Sequence, residues 1–171
     1  QFCFNPFSEN TYIVADAHGQ AAIIDPGCYD REEQQMLRDF IDERGLKPVI
    51  LLNTHCHIDH VLGNHFVHQT YGLQPYLHQS DESDLDRLVS YAPVFGIRAD
   101  ASPAPAGYLE HGETLRVGEL SFELRWAPGH SAGSICFVNH ADKYVISGDV
   151  LFAGSIGRTD LPGGDYDTLI K

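Results

Sequence analysis

Apolar and polar positions follow two periods along this chain, and the change of period separates predicted strands from predicted helices. Two runs with strand character, residues 11–14 and 21–24, lie on either side of a turn that contains Gly19, and they predict a pair of strands. Asp30 then precedes a segment with helical spacing, and Glu33 stands in the capping-box position. The apolar stripe of this predicted helix consists of Met36, Leu37, Phe40 and Ile41.

The rest of the chain predicts further strands and helices in alternation, and then a group of strands. Strands are predicted from Pro48 to the approach of His55 and over residues 75–78, 114–117, 120–126, 135–138 and 143–146. Helices are predicted over residues 59–68, over residues 80–88 and from Asp165. The proline-rich stretch 92–107 is typical of a surface loop or lid. This order favours a layered α/β (α+β) sandwich over a doubly wound sheet, with Trp126 in its core.

Composition limits the classes of partner. The 171 residues suit a single domain over residues 1–171. A formal net charge of −13 argues against nucleic acid and anionic membranes as partners, and no apolar run approaches the ~20 residues of a membrane span. The four cysteines form no CxxC pair, which favours reduced thiols and a cytoplasmic protein. Cys56 is predicted to be a packed thiol.

One heptapeptide, Thr54–His60, concentrates the chemistry of the chain. It contains His55, His57, Asp59 and His60, and it follows the apolar run Val49–Leu52. Imidazole is a good ligand for zinc, iron and copper, and a carboxylate adds a harder oxygen ligand. The alternative is a polar loop in a chain with 10 histidines. A strand that ends in such a cluster predicts a metal site at the edge of a sheet.

Two later segments offer supporting ligands. His130 lies in a Gly/Pro turn directly after the strand that ends at Trp126, and Asp149 follows the strand over residues 143–146. Because both residues stand at strand ends, as the heptapeptide does, strands of one sheet are expected to bring them to the same place.

Other polar residues near these segments receive weaker predictions. Arg158 and Thr159 are candidate substrate contacts, although Arg158 could equally pair with Asp160. His65 and His68 are predicted to be surface or packing residues. Asp25 is predicted to support the structure around the site, and Ser131 either to contact the ligands or only to stabilise its turn.

These motifs resemble the metallo-β-lactamase superfamily, which has an HxHxDH segment, a later Gly-His and a still later Asp. The similarity runs from Asn10 to Asp149, and residues 151–160 resemble glyoxalase II and its single-domain relatives. The resemblance implies a four-layer αββα sandwich with metals at the edge between two sheets. The superfamily's last His has no match after Asp149, so the chain is expected to lack the C-terminal end of the fold.

The resemblance also implies a ligand set and a reaction. His55, His57 and His130 would hold one metal, Asp59 and His60 a second, and Asp149 would bridge the two. Two divalent ions are expected, zinc first and iron or manganese as alternatives. The implied enzyme is a dinuclear hydrolase of the hydroxyacylglutathione hydrolase type.

Its substrate would be a small-molecule hydroxyacyl thioester such as S-lactoylglutathione. Hydroxide held between the metals would attack the thioester carbonyl, and Asp59 would act as a catalytic residue by orienting that hydroxide. The alternatives are a persulfide dioxygenase with one iron and a metal-binding module without catalysis. β-Lactamase activity is less favoured, since many zinc β-lactamases have Cys where this chain has Asp149.

Overall fold

The computed structural model describes residues 1–171 and contains two main β-sheets and a short hairpin. The six strands of the first sheet follow in chain order: β1 Phe2–Phe4, β2 Glu9–Ala15, β3 Gln20–Ile24, β4 Lys47–Leu52, β5 Pro75–Leu77 and β6 Gly107–Tyr108. The second sheet has four antiparallel strands: β7 Thr114–Val117, β8 Leu120–Trp126, β9 Ile135–Asn139 and β10 Tyr144–Ile146. The hairpin pairs β11 Leu151–Phe152 with β12 Ser155–Ile156.

Five α-helices accompany the sheets: α1 Arg31–Glu43, α2 Ile58–Val61, α3 Asn64–Tyr71, α4 Glu82–Tyr91 and α5 Tyr166–Leu169. Short 3₁₀ turns at Gln79–Asp81 and Ala92–Phe95 flank α4. No helix combines the length and the apolar character that crossing a membrane would require.

Alternating side chains divide the core into layers. Ile24 and Leu52 of the first sheet are fully buried against Phe122 and Phe137 of the second. Ile23, one position along β3, belongs instead to a separate cluster with side chains of α1 and α3. Since successive side chains of a strand point to opposite faces, the first sheet lies between these helices and the second sheet.

The helix predicted over residues 59–68 is wrong as a single element, because it breaks at Gly63. The Gly63 amide donates to the Pro26 carbonyl oxygen at 2.7 Å. A Cβ at this position would lie 2.6 Å from the Cys28 sulfur. The close approach to the loop after β3 therefore separates α2 from α3, and only glycine permits it.

Two predicted core residues are exposed. Met36 is 55% exposed, since the buried face of α1 is formed by Leu37 and Ile41. Trp126 is 44% exposed although it continues the buried alternation of Phe122 and Leu124 along β8. Its ring instead stacks on the His78 ring at the end of the strand, with centroids 5.2 Å apart, and its indole N–H donates to the Ala132 carbonyl oxygen.

The start of α1 follows half of the predicted capping box. The Asp30 carboxylate accepts from the Glu33 amide at 2.9 Å, as expected of an N-cap. The Glu33 carboxylate does not return to Asp30. It accepts instead from the amides of Asn5 and Tyr29, both at 2.7 Å, and so ties the loop after β1 to the helix.

Candidate metal centre

The candidate ligands meet at the edge where the two sheets face each other. The heptapeptide follows β4 of the first sheet, whereas His130 follows β8 and Asp149 follows β10, both in the second. The expectation that strands of one sheet deliver all of them is therefore wrong. The ends of strands from two stacked sheets converge instead, because the apolar layer between the sheets holds them together.

Three imidazole nitrogens face one another in the first half of the centre. His130 Nε2 lies 3.1 Å from His55 Nε2 and 2.8 Å from His57 Nδ1. The other nitrogen of His130 is 2.8 Å from the Arg158 carbonyl oxygen, and a carbonyl can only accept. His130 therefore carries its proton on Nδ1 and directs the Nε2 lone pair at the other two rings.

The protonation of the neighbouring rings also suits a cation. Burial, followed by the proximity of the other histidines, lowers the pKa of His57 to about 3 and pushes the pKa of His55 well below its usual value. Neutral imidazoles are the form that binds metal ions. Nitrogen donors held this close, with lone pairs turned toward a common point, fit a divalent metal ion.

The second half of the centre is built from carboxylates around His60. His60 Nε2 lies 3.3 Å from Asp149 Oδ1 and 3.6 Å from Asp59 Oδ2. Burial lowers the pKa of His60, but hydrogen bonds to Asp149 and Asp25 outweigh it and raise that pKa well above its usual value. A proton on His60 thus balances carboxylates that a second cation would neutralise.

Asp149 faces both halves. Its Oδ1 approaches His60, while its Oδ2 lies 3.6 Å from His130 Nε2. A carboxylate with one oxygen toward each group of histidines is placed to bridge two cations.

Asp25 orients ligands in both halves without pointing at the centre. Its carboxylate accepts from the Thr54 amide at 2.6 Å and from the Thr54 hydroxyl at 2.5 Å, and it contacts His60 Nδ1 at 3.1 Å. Because the Thr54 hydroxyl gives its proton to Asp25, its oxygen can accept from His55 Nδ1, 3.0 Å away. Both rings are thereby turned so that Nε2 faces the centre, which is the supporting role predicted for Asp25.

Two residues that the sequence did not single out lie beside the loop after β3, and one of them, Asn5, holds Asp59 in place. The Asn5 amide group donates to the backbone carbonyls of Gly27 and Asp59, both at 3.0 Å. Glu9 is buried beside them, and this burial raises its pKa to about 9. A Cβ on Gly27 would lie 2.8 Å from the Asp59 carbonyl oxygen and 2.0 Å from Glu9 Oε2, so a larger residue here would displace the segment that carries Asp59.

Asp81 is a third supporting residue that sequence reasoning missed. Its buried carboxylate accepts from the Ser131 hydroxyl at 2.8 Å, from the Gly133 amide at 2.6 Å and from the Cys56 amide at 3.2 Å. It therefore connects the heptapeptide to the turn that carries His130. Cys56 itself is buried in an apolar cluster, as predicted for a packed thiol.

The remaining candidates lie at the margin of the centre. The Arg158 guanidinium pairs with both oxygens of Asp160, at 2.7 and 2.8 Å, which is the alternative that the sequence left open. Thr159 is half-buried. Nδ1 of His65 and of His68 contacts a backbone carbonyl, and neither ring joins the cluster of ligands.

Replacing Gly157 with alanine is expected to weaken zinc binding at least tenfold. The new Cβ would lie 1.8 Å from the Asp149 carbonyl oxygen and 2.8 Å from His130 Nδ1, so the segments that carry both ligands must move. Zinc titration by calorimetry measures the loss. Gly154→Ala is the control, because its Cβ meets nothing within 4 Å and only its positive φ costs about 1 kcal/mol. Equal zinc affinities for the two variants would contradict the prediction.

Comparisons with known proteins agree on the family of this chain. The model of the metallo-beta-lactamase superfamily matches residues 4–170. Hydroxyacylglutathione hydrolase GloC of Haemophilus influenzae is 38% identical over 167 residues, which cover 96% of this chain and 77% of that protein.

Two solved structures are similar over nearly the whole chain. The B3 metallo-beta-lactamase BLEG-1 has a TM-score of 0.88 at 30% identity, with 98% of this chain and 79% of that one covered. The di-iron-bound form of TTHA1623 has a TM-score of 0.84 at 35% identity, with 97% and 79% covered. The chain therefore spans somewhat more than three quarters of the length of each of these three relatives.

Proposed function

Because this chain belongs to the metallo-beta-lactamase superfamily, we propose that it is a dinuclear metal-dependent hydrolase that cleaves hydroxyacyl thioesters such as S-lactoylglutathione. The observation that carries the proposal is the position of Asp149, whose two oxygens face separate groups of ligands. The name of the Haemophilus influenzae relative supports the substrate class.

The residues present suit hydrolysis of a thioester. A pair of divalent cations, when bound, polarises a carbonyl group and lowers the pKa of water from ~16 towards ~7. His55, His57 and His130 would hold one cation and Asp59 with His60 the other, with Asp149 shared. The Asp59 carboxylate, positioned by Asn5, can accept a proton from the attacking water. The carbon–sulfur bond then breaks and the sulfur leaves as thiolate, which needs no strong general acid.

Asp59→Ala is expected to reduce turnover at least a hundredfold and to leave folding nearly unchanged. The helix α2 has His57 as its N-cap residue and no side-chain cap, so removing Asp59 takes away no capping bond. Melting temperature and thioester hydrolysis are measured on the same variant. Asp86→Ala, at an exposed position of α4, controls for loss of surface charge. A large fall in melting temperature with normal turnover would contradict the role of Asp59.

Zinc titration is expected to give one tight event and a second at least tenfold weaker. Three imidazoles and one oxygen of Asp149 surround the first position, whereas the second has only Asp59, His60 and the other oxygen of Asp149. A smaller protein ligand set leaves more of the coordination to water and binds more weakly. Isothermal calorimetry of the metal-free chain resolves the two events. Two events of equal affinity would contradict the assignment.

The decisive experiment combines metal quantification with a thioester panel. The chain is loaded separately with zinc, iron and manganese, and the di-iron relative justifies the iron sample. Two metals per chain together with thioester turnover support the proposal, and failure to cleave any thioester at full loading overturns it. A single iron with oxygen consumption on a persulfide would identify the persulfide dioxygenase alternative. Tight metal binding without any turnover would identify a metal-binding module.

β-Lactam hydrolysis is a second candidate, favoured by the similarity to BLEG-1. It requires the same polarised carbonyl, but the bond that breaks is carbon–nitrogen. Nitrocefin, a chromogenic cephalosporin, belongs in the same panel. Turnover of nitrocefin faster than of every thioester would replace the first proposal with this one.

A further inference from the structure

A cleft of about 160 Å³ opens directly beside His57. It is lined by His57, Ile58 and Leu88 and by the segment Leu161–Pro162. Ile58 and Leu88 are almost fully buried, so this part of the lining is held by the core. Because His57 is half-buried and belongs both to the cleft lining and to the candidate metal centre, a molecule in the cleft would lie beside one of the candidate metal ligands.

Aromatic side chains continue the apolar surface outward. Tyr91 lines the cleft, and its ring packs edge-on against Phe95 at 5.1 Å between centroids. Phe95 packs in the same way against Phe7 at 5.6 Å. All three rings are at least 40% exposed. Contiguous exposed aromatic surface of this kind is typical of a binding site.

The charged groups around the cleft are already paired. Arg87 forms an ion pair with Asp84 on the same helix, and both line the cleft. Arg158, three positions before the lining residue Leu161, is paired with Asp160. With its cations neutralised, the cleft offers apolar contact as its main means of recognition.

We infer that the cleft binds an apolar group of about six heavy atoms carried by the substrate, beside the thioester carbonyl. This inference rests on the proposed thioester hydrolysis and narrows its substrate class. An apolar cavity of ~150 Å³ in another protein holds one benzene ring, which sets the size of the group. The group can belong to the acyl part or to the thiol part of the thioester.

Two pairs of thioesters test the inference and separate these sources. The acyl pair compares lactoyl with 3-phenyllactoyl on N-acetylcysteamine, and the thiol pair compares lactoyl on N-acetylcysteamine with lactoyl on benzyl mercaptan. The phenyl member is expected to have at least a tenfold higher kcat/KM in one pair, and that pair identifies the source. Ratios near one in both pairs overturn the inference.

Variants of the cleft lining test whether the cleft causes this preference. Tyr91→Ala and Leu161→Ala are expected to reduce the ratio of kcat/KM between the phenyl member and the smaller member of the pair at least fivefold. Val89→Ala is the matched control, since Val89 is an exposed apolar residue of the same helix that does not line the cleft, and its ratio is expected to equal that of the unchanged chain. A Tyr91→Ala ratio equal to that of Val89→Ala places the preference elsewhere and overturns the inference.

A binding measurement distinguishes failure of the cleft from failure of the proposed reaction. S-benzyl-N-acetylcysteamine is a thioether that cannot be hydrolysed. Its addition is expected to shift the methyl NMR signals of Ile58, Leu88 and Leu161, and to do so at higher concentration in Tyr91→Ala. If no thioester is cleaved but these signals shift, binding of an apolar group in the cleft is supported and the proposed hydrolysis is wrong. Unchanged signals overturn the cleft itself.

Discussion

Replacing Asp149 with asparagine is expected to lower thioester hydrolysis at least a thousandfold while the fold persists. Asparagine keeps the size of the side chain but removes the negative charge and one of the two oxygens that face His60 and His130. Asparagine leaves one neutral oxygen where two charged ones faced the two groups of histidines, so the bridge between the proposed cations would be lost, whereas replacing any other proposed ligand would affect one cation only. Steady-state kinetics and metal content measured on the same sample give the result.

The matched control for this variant is Asp167→Asn, at an exposed position of α5. It removes the same charge from the chain without touching the centre, so its turnover and metal content are expected to equal those of the unchanged chain. Near-normal kcat for Asp149→Asn with a single metal per chain would show that one cation suffices. The dinuclear reaction would then be wrong.

Replacing Asp25 with alanine is expected to have the largest effect on stability. The Thr54 amide and the His60 ring would lose a buried carboxylate that is 1% exposed. Removing one partner from a buried charged network costs on the order of 3 kcal/mol of the free energy of unfolding. Because the rings of His55 and His60 would no longer be held in their orientations, metal affinity should also fall about 10- to 100-fold.

Asp25→Asn separates these two consequences. It keeps one oxygen that can accept from the Thr54 amide, so more of the stability should return than of the metal affinity, because the His60 Nδ1–H then has no carboxylate oxygen to hold the ring in its orientation. Urea unfolding of the metal-free chain and zinc calorimetry provide the two measurements. Zinc affinity unchanged in both variants would contradict the orienting role of Asp25.

Sequence reasoning proposed the candidate ligands, which the structure brings together, but missed several residues that hold them in place. His55, His57, Asp59 and His60 are contiguous, so a single strand end was enough to place them together. His130 and Asp149 could be added because each follows a recognisable strand. The local patterns could not show that these strands belong to two different sheets, since the pairing of β4 with β5 and of β8 with β9 depends on long-range contacts; only the family resemblance implied a site between two sheets.

The residues that hold the candidate ligands in place belong to no local sequence pattern. Asn5 and Asp81 act through hydrogen bonds to segments remote in the chain, and a lone polar residue in a loop or 3₁₀ turn carries no sign of such a partner. The break at Gly63 and the exposure of Trp126 have the same origin. In each case contact with a neighbouring segment changes the structure that the local hydrophobic pattern predicts.

The arrival of ligands from two sheets makes a bound cation a cross-link of the tertiary structure. A ligand that binds only the folded state adds free energy according to its concentration relative to its dissociation constant, about 4 kcal/mol at a thousandfold excess. His55 and His130 approach from opposite sheets, so this linkage acts across the layer that holds the sheets together. The melting temperature of the chain is therefore expected to rise with the concentration of free metal.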